Sequence, residues 1–273
     1  MLLNHMKKKE IQTKFILKKI TKYDSLFQGH YTIDPYQNCE FGCIYCDSTY
    51  DDTLYILQNA LEILKTELID IPKKRIIIGS VHDPYQSAEE TYNITRSIIN
   101  FLTENNFPIH ILTKSPLVLR DIDLLKKNKD VHVTFSFISS DSFIVSQIEK
   151  NAPNIISRFQ AIQKLQKNNI CSGVALIPIL PGFVEDSLDD IIAITKSYQA
   201  SYFLSEHLFL KGDQQRIFFD FIKQYYPTLL TLYDSIFKDS MFPDQTYQNK
   251  INKEIKKICG RNNLPTSILE LSD

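Results

Sequence analysis

Short apolar segments recur along the chain and predict the strands of a sheet. They cover residues 31–33, 75–79, 109–113, 131–137, 174–179 and 202–204. These segments are nearly all apolar, as expected of strands that are buried on both faces of a parallel sheet. The chain is therefore predicted to build its core around several short parallel strands.

Longer amphipathic segments lie between the predicted strands and predict helices. They cover residues 53–68, 88–105, 117–127, 154–167 and 188–199. Ser87 and Glu90 form the S-x-x-E pattern of a capping box at the start of one helix. Pro116 suits the first turn of another helix, and Ser187 suits the N-cap of the last.

Strands and helices alternate about six times before residue 210. This alternation predicts an α/β fold with right-handed crossovers, either an open doubly wound sheet or a full or partial barrel. Both architectures place their chemistry at the carboxyl ends of the strands. Beyond residue 210 the pattern is helical, with helices predicted at 214–226 and 248–259 and with Gly260 as the stop of the second.

The composition is that of a folded chain of enzyme size. Of the 273 residues, 43% are hydrophobic and 23% are charged, which excludes the low hydrophobicity and high charge of disordered proteins. The net charge of −1 lacks the basic excess that holds nucleic acid by charge alone. No apolar run approaches the roughly 18 residues that span a bilayer, so no membrane is predicted as a partner.

The start of the chain is basic. Its first 22 residues carry seven lysines and no arginine. This segment has neither the apolar core of a signal peptide nor the Arg/Ser bias of an organellar address, so the cytoplasm is the expected location. The lysines are expected to be solvated, and contact with phosphate or a membrane surface is the alternative.

Three of the five cysteines, Cys39, Cys43 and Cys46, stand within eight residues. This spacing is too tight for a disulfide framework and favours metal ligation. Three thiolates on one short loop suit three irons of a [4Fe-4S] cluster and leave the fourth iron open to another ligand. A zinc site would need a fourth protein ligand, for which His30 and Cys171 are only rough candidates.

The C-x3-C-x2-C spacing, with Tyr45 before the third cysteine, resembles the signature of the radical S-adenosylmethionine (radical SAM) superfamily. Four segments resemble the branch that includes spore photoproduct lyase: DPYQNC around Cys39, IIIGSVHDPYQSAE from Ile76, ILTKSPLVLRDIDLL from Ile111 and VTFSFIS from Val133. The resemblance covers approximately residues 28–182, and its motifs agree in order and spacing. The chain is thus identified as a member of this superfamily.

This resemblance implies a partial (β/α)6 TIM-type barrel. It implies a basic N-terminal segment at residues 1–27, the radical SAM core barrel at 28–210 and a helical C-terminal extension at 211–273 packed on the barrel. It also implies a [4Fe-4S] cluster on the three loop cysteines, with the amino and carboxylate groups of S-adenosylmethionine (SAM) on the open iron. A flavodoxin- or ferredoxin-like electron donor is the expected partner.

The resemblance further implies cofactor contacts for residues that follow successive strands. Ser80 and Asp83, after the second strand, stand where the family binds the α-amino group of SAM, although the family's glycine-glycine-glutamate pattern is absent. Lys114 and Ser136, at the third and fourth strands, resemble residues near the SAM carboxylate in the spore-lyase branch. Tyr45 is expected to pack beside the adenine. A turn cap, a solvent-directed lysine and an ordinary strand serine are the structural alternatives for Asp83, Lys114 and Ser136.

For each of five other residues the sequence allows two roles. Glu149 and Arg158 stand where the branch often has an acid and an arginine, and a surface or intrahelical ion pair is the alternative. Tyr36 and Tyr85 are expected to be core aromatics rather than redox-active groups in the cavity. His207 is expected to lie in an exposed loop, with acid–base chemistry as the alternative.

One departure limits the analogy with spore photoproduct lyase. That enzyme carries a hydrogen-donating cysteine after the second strand, where this chain has Ser80 or Val81, so repair of a thymine lesion is not predicted. The predicted function is abstraction of a hydrogen atom from an unidentified substrate, and the branch implies a nucleobase or nucleic acid. The alternatives are a peptide or small-metabolite substrate, or a non-catalytic protein with a structural or sensing zinc or iron–sulfur site.

Overall fold

The computed structural model describes residues 6–22, 24–47, 52–238 and 240–268. The strands in these ranges are β1 (Lys7–Ile11), β2 (Lys18–Lys19), β3 (Tyr31–Ile33), β4 (Tyr36–Gln37), β5 (Thr53–Leu57), β6 (Ile76–Ile78), β7 (Ile109–Thr113), β8 (Val131–Phe137), β9 (Cys171–Ile179) and β10 (Phe203–His207). The α-helices are α1 (Ala60–Glu67), α2 (Ser87–Tyr92), α3 (Ile94–Glu104), α4 (Ile122–Leu125), α5 (Ser142–Ile148), α6 (Ile155–Gln166), α7 (Leu188–Ser197), α8 (Asp213–Tyr225), α9 (Leu230–Phe237) and α10 (Gln245–Arg261).

The main sheet has the strand order β10-β9-β8-β7-β6-β3-β2. From β3 to β10 every neighbouring pair is parallel, and β2 adds an antiparallel edge next to β3. Sequential strands lie side by side with helices between them, and in the described residues the sheet does not close on itself. This topology confirms the predicted α/β fold class of a partial (β/α)6 barrel.

The predicted strands are confirmed, with some differences at their ends. β3, β7 and β8 have the predicted bounds, and all seven residues of β8 are buried. β9 begins earlier than predicted, at Cys171, because the sequence around Gly173 is not apolar enough to indicate a strand. Gly173 is nevertheless a core position, since a Cβ atom there would overlap the ring of Tyr202. β10 extends beyond residue 204 to His207.

The predicted helix at residues 53–68 is wrong in its first part. Residues Thr53–Leu57 form β5, and the helix α1 begins only at Ala60. β5 lies in a separate three-stranded sheet, parallel to β1 and antiparallel to β4. Leu54 and Ile56 are fully buried and alternate with the half-buried Thr53 and Tyr55, which is the period of a strand.

The predicted helix at residues 88–105 is two helices, α2 and α3. Asn93 separates them with a left-handed backbone at φ 52°, a conformation that asparagine tolerates better than most residues. The Glu89 carboxylate caps the start of α3 by accepting hydrogen bonds from the backbone N–H groups of Thr95 and Arg96, at 2.9 and 3.1 Å. The next predicted helix, 117–127, is a 3-10 turn over Pro116–Asp121 followed by α4.

Three predicted helix-end signals act differently from the prediction. The Ser87 hydroxyl makes no cap bond but donates to Glu40, whose carboxylate also accepts from the Ala88 N–H at the start of α2. The Ser187 hydroxyl donates to preceding backbone carbonyls instead of capping α7. Gly260 lies inside α10, which continues to Arg261. The start of α2 is therefore capped by a side chain from a distant segment, Glu40, which no local pattern indicates.

The two faces of the main sheet are covered differently. Ile76 and Ile78 of β6 belong to the large core that includes the helices. Ile77 points to the other face, where it joins a second apolar cluster with Phe27 and Ile268 from the two ends of the chain. Phe27 and Ile268 thus fill part of the inner face of the open barrel. The inner face at the carboxyl ends of the strands contributes to a cavity.

The C-terminal helices pack against the strand–helix repeat. Arg261 of α10 donates to Asp189 of α7 at 2.8 Å, and Gln214 of α8 donates to the backbone of the cysteine loop, residues 39–46. No helix in the described ranges is long and apolar enough to cross a membrane. The division at residues 27 and 210 stays a prediction.

Candidate active site

A cavity of about 340 Å³ lies at the carboxyl ends of the parallel strands. All eight predicted ligands and cofactor-binding residues line it: Cys39, Cys43, Tyr45, Cys46, Ser80, Asp83, Lys114 and Ser136. They come from the cysteine loop after β3, from the segments after β6 and β7, and from the end of β8. The topology of the sheet therefore brings together residues that are almost 100 positions apart in the sequence.

The segment after β6 is held in place by a glycine and an aspartate. Gly79 has φ 86°, and a Cβ atom there would lie 2.6 Å from the Leu112 carbonyl oxygen. The Asp34 carboxylate accepts hydrogen bonds from the backbone N–H groups of Val81 and His82, at 3.0 and 3.2 Å. No local sequence pattern indicates this role of Asp34, because its partners are more than 40 residues away.

The first half of the cysteine loop is fixed by Gln86, which is fully buried. Its side-chain amide donates to the carbonyl groups of Asn38 and Asp83, at 3.0 and 2.9 Å, and its oxygen accepts from the Glu40 N–H at 2.7 Å. Gln86 thus joins the backbone on both sides of Cys39 to the segment after β6. The glutamine of the second DPYQ tetrapeptide holds the loop that follows the first.

The second half of the cysteine loop is fixed by the segment after α5. Cys43 forms an isolated antiparallel bridge with Glu149, and the Ile44 N–H donates to the Ile148 carbonyl at 2.9 Å. The Asn151 N–H donates to the Phe41 carbonyl at 3.0 Å. These backbone bonds set the loop in a defined position before any ligand binds.

Of the three loop cysteines, Cys43 is buried, and Cys39 and Cys46 are half-buried. All five cysteines of the chain are thiols, and burial is the largest effect on the pKa values of Cys39 and Cys43. Burial raises the pKa of the Cys43 thiol to about 12, and it also raises the pKa of Cys39. A bound metal centre changes this balance, because its positive charge stabilises thiolates.

Glu149 is the centre of a buried charged network behind the cysteine loop. Its carboxylate accepts from the Tyr45 hydroxyl at 2.6 Å and from the Arg158 guanidinium at 2.6 Å, and the Lys114 ammonium lies 3.7 Å away. Burial opposes the charge of Glu149, but Arg158 and Lys114 outweigh it and lower its pKa. The surface or intrahelical ion pair considered for Glu149 and Arg158 is wrong, since neither side chain is exposed.

Lys114 presents its positive charge at the edge of this network. Its side chain is 15% exposed, lines the cavity, and places its ammonium 5.8 Å from the centre of the Tyr45 ring. Burial lowers the pKa of Lys114, but the neighbouring Glu149 carboxylate and Cys43 thiol outweigh burial and raise it. Lys114 therefore offers a cation to an anionic group in the cavity rather than extending into solvent.

Most of the hydrogen-bonding capacity of the Asp83 carboxylate is used by neighbouring groups of the protein. Its carboxylate accepts from the Thr113 hydroxyl at 2.7 Å and from the backbone N–H groups of Lys114 and Tyr85, at 2.6 and 2.9 Å. Burial raises the pKa of Asp83 in spite of these bonds. The predicted turn role is thus present. Oδ1 accepts from both Thr113 and Tyr85, so Oδ2, which accepts only from Lys114, is the oxygen that keeps a lone pair for a further donor.

The two predicted serines also have partners within the protein. Ser136 donates its hydroxyl hydrogen to the Ile177 carbonyl at 2.9 Å, and Ser80 donates to Asp34 at 3.3 Å. Both residues line the cavity, and their hydroxyl oxygens retain lone pairs. They are therefore positioned beside the cavity as acceptors, and each would have to rotate to donate to a ligand.

The end of β10 contributes residues that sequence reasoning missed or misplaced. His207 is the last residue of β10 and only 6% exposed, so the prediction of an exposed loop histidine is wrong. His207 lines the cavity together with Glu206 and with Gln214 of α8. The approach of α8 to the cysteine loop is a long-range contact that no local pattern indicates. Gln214 could not have been found from the sequence.

Tyr36 and Tyr85 are core residues, as predicted. They are 0% and 1% exposed, and neither lines the cavity. Their hydroxyls donate to the buried carboxylates of Glu89 and Asp121, respectively. The two tyrosines therefore support the scaffold under the site.

The cysteine loop suits a cluster better than a single metal ion. In residues 6–22, 24–47, 52–238 and 240–268, no three His, Cys, Asp or Glu side chains are placed to hold one ion together. In a [4Fe-4S] cluster each thiolate binds a different iron, so the ligands need not meet at one point. The three loop cysteines, with Lys114 and Asp83 beside them, fit such a cluster and a ligand that carries both an amine and a carboxylate.

Two curated relatives align along most of the chain. It is 28% identical over 242 residues to an uncharacterized protein of Methanocaldococcus jannaschii, covering 84% of this chain and 90% of that protein. It is 22% identical over 272 residues to an uncharacterized protein of Mycobacterium tuberculosis, covering 92% of this chain and 80% of that protein. The likeness therefore extends beyond the cysteine motif to nearly the full length of both relatives.

Solved structures with the same fold include two SAM-bound proteins. Spore photoproduct lyase with bound AdoMet (SAM) and dinucleoside spore photoproduct matches at a TM-score of 0.67 and 14% identity, covering 88% of this chain and 76% of that chain. Streptococcus suis SuiB bound to SAM matches at 0.60 and 10% identity, covering 86% of this chain and 49% of that chain. At these identities the likeness shows the fold.

A sequence model of the Radical SAM superfamily matches residues 33–194, which is more than half of the chain. The match begins at the end of β3, contains all eight predicted site residues and ends in α7. Proteins of this superfamily use a [4Fe-4S] cluster and SAM, and they need an electron donor. The chain belongs to the radical SAM superfamily.

Proposed function

We propose that the protein is a cytoplasmic enzyme that cleaves SAM reductively and abstracts a hydrogen atom from a substrate. The observation that carries this proposal is that Cys39, Cys43 and Cys46 line the same cavity as Lys114 and Asp83. When bound, the cluster and SAM supply the difficult chemistry, the formation of methionine and a 5′-deoxyadenosyl radical. The chain's own residues bind, orient and shield these groups.

The cysteines are the proposed cluster ligands. Three thiolates satisfy three of the four irons, which leaves one iron for the amine and carboxylate of SAM. The hydrogen bonds of the Gln86 side chain and the backbone bridge of Glu149 hold the loop that carries the thiols. The loop therefore needs little rearrangement to take up a cluster.

Lys114 is the proposed partner of the SAM carboxylate. Its ammonium is held between Glu149 and the Tyr45 ring, so that a charge-assisted hydrogen bond forms without first ordering a flexible side chain. Ser136 stands near the same group and would donate to it only after its hydroxyl leaves the Ile177 carbonyl. Both assignments agree with the cavity positions of these residues.

Asp83 and Ser80 are the proposed acceptors for the cationic amine of SAM. The Oδ2 atom of Asp83 has a lone pair left after its bond to the Lys114 N–H, whereas Oδ1 accepts from both Thr113 and Tyr85. Apolar groups such as Leu112, Ile177 and Leu208 line other parts of the cavity and limit access of water to a reactive radical. Tyr45 is the proposed packing surface for the adenine.

The substrate class is left open by the fold. The solved neighbours include spore photoproduct lyase with a dinucleoside and SuiB with a precursor peptide, so one architecture serves different substrates. In this chain Val81, which lies in the segment after β6, lines the cavity and is 52% exposed. A nucleobase, a peptide and a small metabolite remain candidate substrates.

A flavodoxin- or ferredoxin-like protein is the proposed source of electrons.

Anaerobic reconstitution with iron and sulfide, followed by dithionite and SAM, tests the proposal. We expect the wild-type protein to bind a cluster and to form 5′-deoxyadenosine. Cys39→Ala, Cys43→Ala and Cys46→Ala should each abolish this product, whereas Cys171→Ala, outside the cavity, should retain it. Stoichiometric zinc binding without formation of 5′-deoxyadenosine would support the structural metal site instead.

A further inference from the structure

A cysteine, a histidine and an aspartate lie together at the amino ends of the parallel strands, away from the cavity. Cys171 is the first residue of β9, and its partner in register on β8 is His132. Register partners on neighbouring strands point to the same face of the sheet, with backbones about 5 Å apart. Asp130 directly precedes β8, and its Oδ1 atom lies 3.4 Å from His132 Nδ1. Along β9, about 20 Å separates Cys171 from Ile177, which lines the cavity.

His132 connects the other two side chains. It is completely buried, and in the described part of the chain neither of its ring nitrogens makes a hydrogen bond of regular geometry. Because Nδ1 lies beside Asp130, Nε2 is the nitrogen left for Cys171. Burial lowers the pKa of His132, but its contacts with Asp130 and Cys171 outweigh burial and raise it. His132 is therefore suited to hold a proton that Cys171 releases.

The other titratable groups around His132 leave this role to it. His132 and Arg75 outweigh the effect of burial on Asp130 and lower its pKa, so Asp130 is an anion. Arg75 opposes a positive charge on His132, but it lies 2.7 Å from Asp130 and is paired with that carboxylate. Burial lowers the pKa of His110, whose ring centre is 6.3 Å from that of His132, and raises the pKa of Tyr202. Both of these groups are therefore neutral near pH 7.

Cys171 differs from the other thiol outside the cavity, Cys259. Cys259 is completely buried, and burial raises its pKa to about 12. Cys171 is half-buried and packs at the edge of the second apolar cluster. Reactive cysteines combine partial exposure with a nearby group that stabilises the thiolate, whereas buried structural cysteines are inert. Cys171 has both features, and Cys259 has neither.

We propose that Cys171, His132 and Asp130 form a reactive thiol site that is modified by small disulfides. His132 takes the proton of the Cys171 thiol. The Cys171 sulfur attacks one sulfur of the disulfide, a new S–S bond forms, and the bond within the disulfide breaks. The other half leaves as a thiolate, so Cys171 is oxidised while the departing half is reduced. The site does not depend on the proposed SAM chemistry.

The reaction of the cluster-loaded protein with bis(2-hydroxyethyl) disulfide tests this proposal. The probe does not titrate, so any pH dependence belongs to the protein. Acid quenching and peptide mass spectrometry give the rate of adduct formation at each cysteine separately. An ordinary thiol with a pKa of about 8.5 slows about 15-fold between about pH 8.5 and about pH 7. We expect Cys171 to slow less than about threefold over this range, and we expect Cys259 to react much more slowly than Cys171.

Variants separate proton acceptance from packing. His132→Gln should restore the ordinary loss of about 15-fold in the Cys171 rate, and Asp130→Asn should restore part of it. His110→Gln, which alters the neighbouring buried histidine, is the matched control and should keep the shallow dependence. Circular dichroism checks the fold of each variant, and Asp130→Asn changes a side chain that is 36% exposed, so it carries the test if His132→Gln does not fold.

Three results would overturn the proposal. They are an ordinary pH dependence at Cys171 in the wild-type protein, a reaction at Cys259 as fast as that at Cys171, and an unchanged pH dependence in Asp130→Asn and in folded His132→Gln. Failure of the protein to form 5′-deoxyadenosine would instead contradict the proposed function and leave this site unaffected.

Discussion

The Glu149 carboxylate lies 2.6 Å from the Arg158 guanidinium, and neither side chain is exposed to solvent. The same carboxylate accepts from the Tyr45 hydroxyl, and Arg158 also donates to the Ser136 carbonyl at 2.9 Å. The pair thus connects the cysteine loop to the end of β8, with the Lys114 ammonium 3.7 Å away. This network positions the groups that are proposed to hold the cluster and SAM.

Removal of the Glu149 charge should destabilise the protein. In Glu149→Gln the buried Arg158 guanidinium loses its anionic partner, and we expect the free energy of unfolding to fall by about 3 kcal/mol. Urea unfolding followed by circular dichroism measures this change. The matched control is Glu254→Gln, an exposed carboxylate 3.1 Å from Lys257, for which less than about 0.5 kcal/mol is expected. A loss below about 1 kcal/mol in Glu149→Gln would show that the pair is dispensable.

The contribution of Glu149 should also depend on pH. Its pKa is lowered from the ordinary value of 4.5, because Arg158 and Lys114 outweigh the opposing effect of burial. A carboxyl group whose pKa is lower in the folded state stabilises the fold above its unfolded pKa and loses this contribution as the pH falls through the folded pKa. The stability difference between the wild-type protein and Glu149→Gln should therefore be constant near neutral pH and shrink below pH 4.5.

Urea unfolding of both proteins between about pH 7 and about pH 3 checks this pH dependence. Comparison of the two proteins removes the contributions of the other carboxyl groups that titrate in the same range. A difference that stays constant or grows as the pH falls would contradict the assigned direction of the pKa shift.

Lys114→Met should weaken the binding of SAM. The variant keeps most of the side-chain volume but removes the cation proposed to contact the SAM carboxylate, and we expect the dissociation constant to rise about 10-fold or more. Equilibrium dialysis with the unreduced, cluster-loaded protein measures it. Lys65→Met is the control, because its ammonium lies 5.8 Å from the Phe101 ring in a similar contact outside this cavity. Equal affinities for the two variants would remove Lys114 from the binding site.

Asp34 should act through acceptor geometry rather than charge. Asp34→Ala leaves the N–H groups of Val81 and His82 without their acceptor, and we expect a loss of about 1–3 kcal/mol in the free energy of unfolding together with weaker SAM binding. Asp34→Asn keeps one acceptor oxygen, so its loss should be below about 1 kcal/mol. If Asp34→Asn proves as damaging as Asp34→Ala, the charge matters more than the hydrogen bonds.

The sequence predicts those parts of the fold that depend on local pattern. β7 and β8 are found at their predicted bounds because their apolar residues are continuous enough to indicate buried strands. β5 is missed because its partner strand β1 is more than 40 residues away, and a strand of five residues next to a helix resembles the start of that helix. The capping of α2 by Glu40 is missed for the same reason.

The sequence predicts those site residues that the order of the parallel strands alone brings together. The cysteine loop, Lys114 and Ser136 follow parallel strands, so the strand order brings them to one cavity. The ion pair of Glu149 with Arg158 and the contact of Gln214 with the cysteine loop depend on tertiary packing. A sequence pattern cannot tell whether such polar residues are buried together or solvated, and both outcomes occur in this chain.

Electron paramagnetic resonance of the reduced, cluster-loaded protein tests the central claim most directly. The cavity places three thiols beside Lys114 and Asp83, so SAM is expected to bind the one iron that has no cysteine. We predict the spectrum of a reduced [4Fe-4S] cluster, and we predict that its g values change when SAM is added. A cluster spectrum that SAM leaves unchanged, or a protein that takes up zinc and shows no such spectrum, would contradict the account.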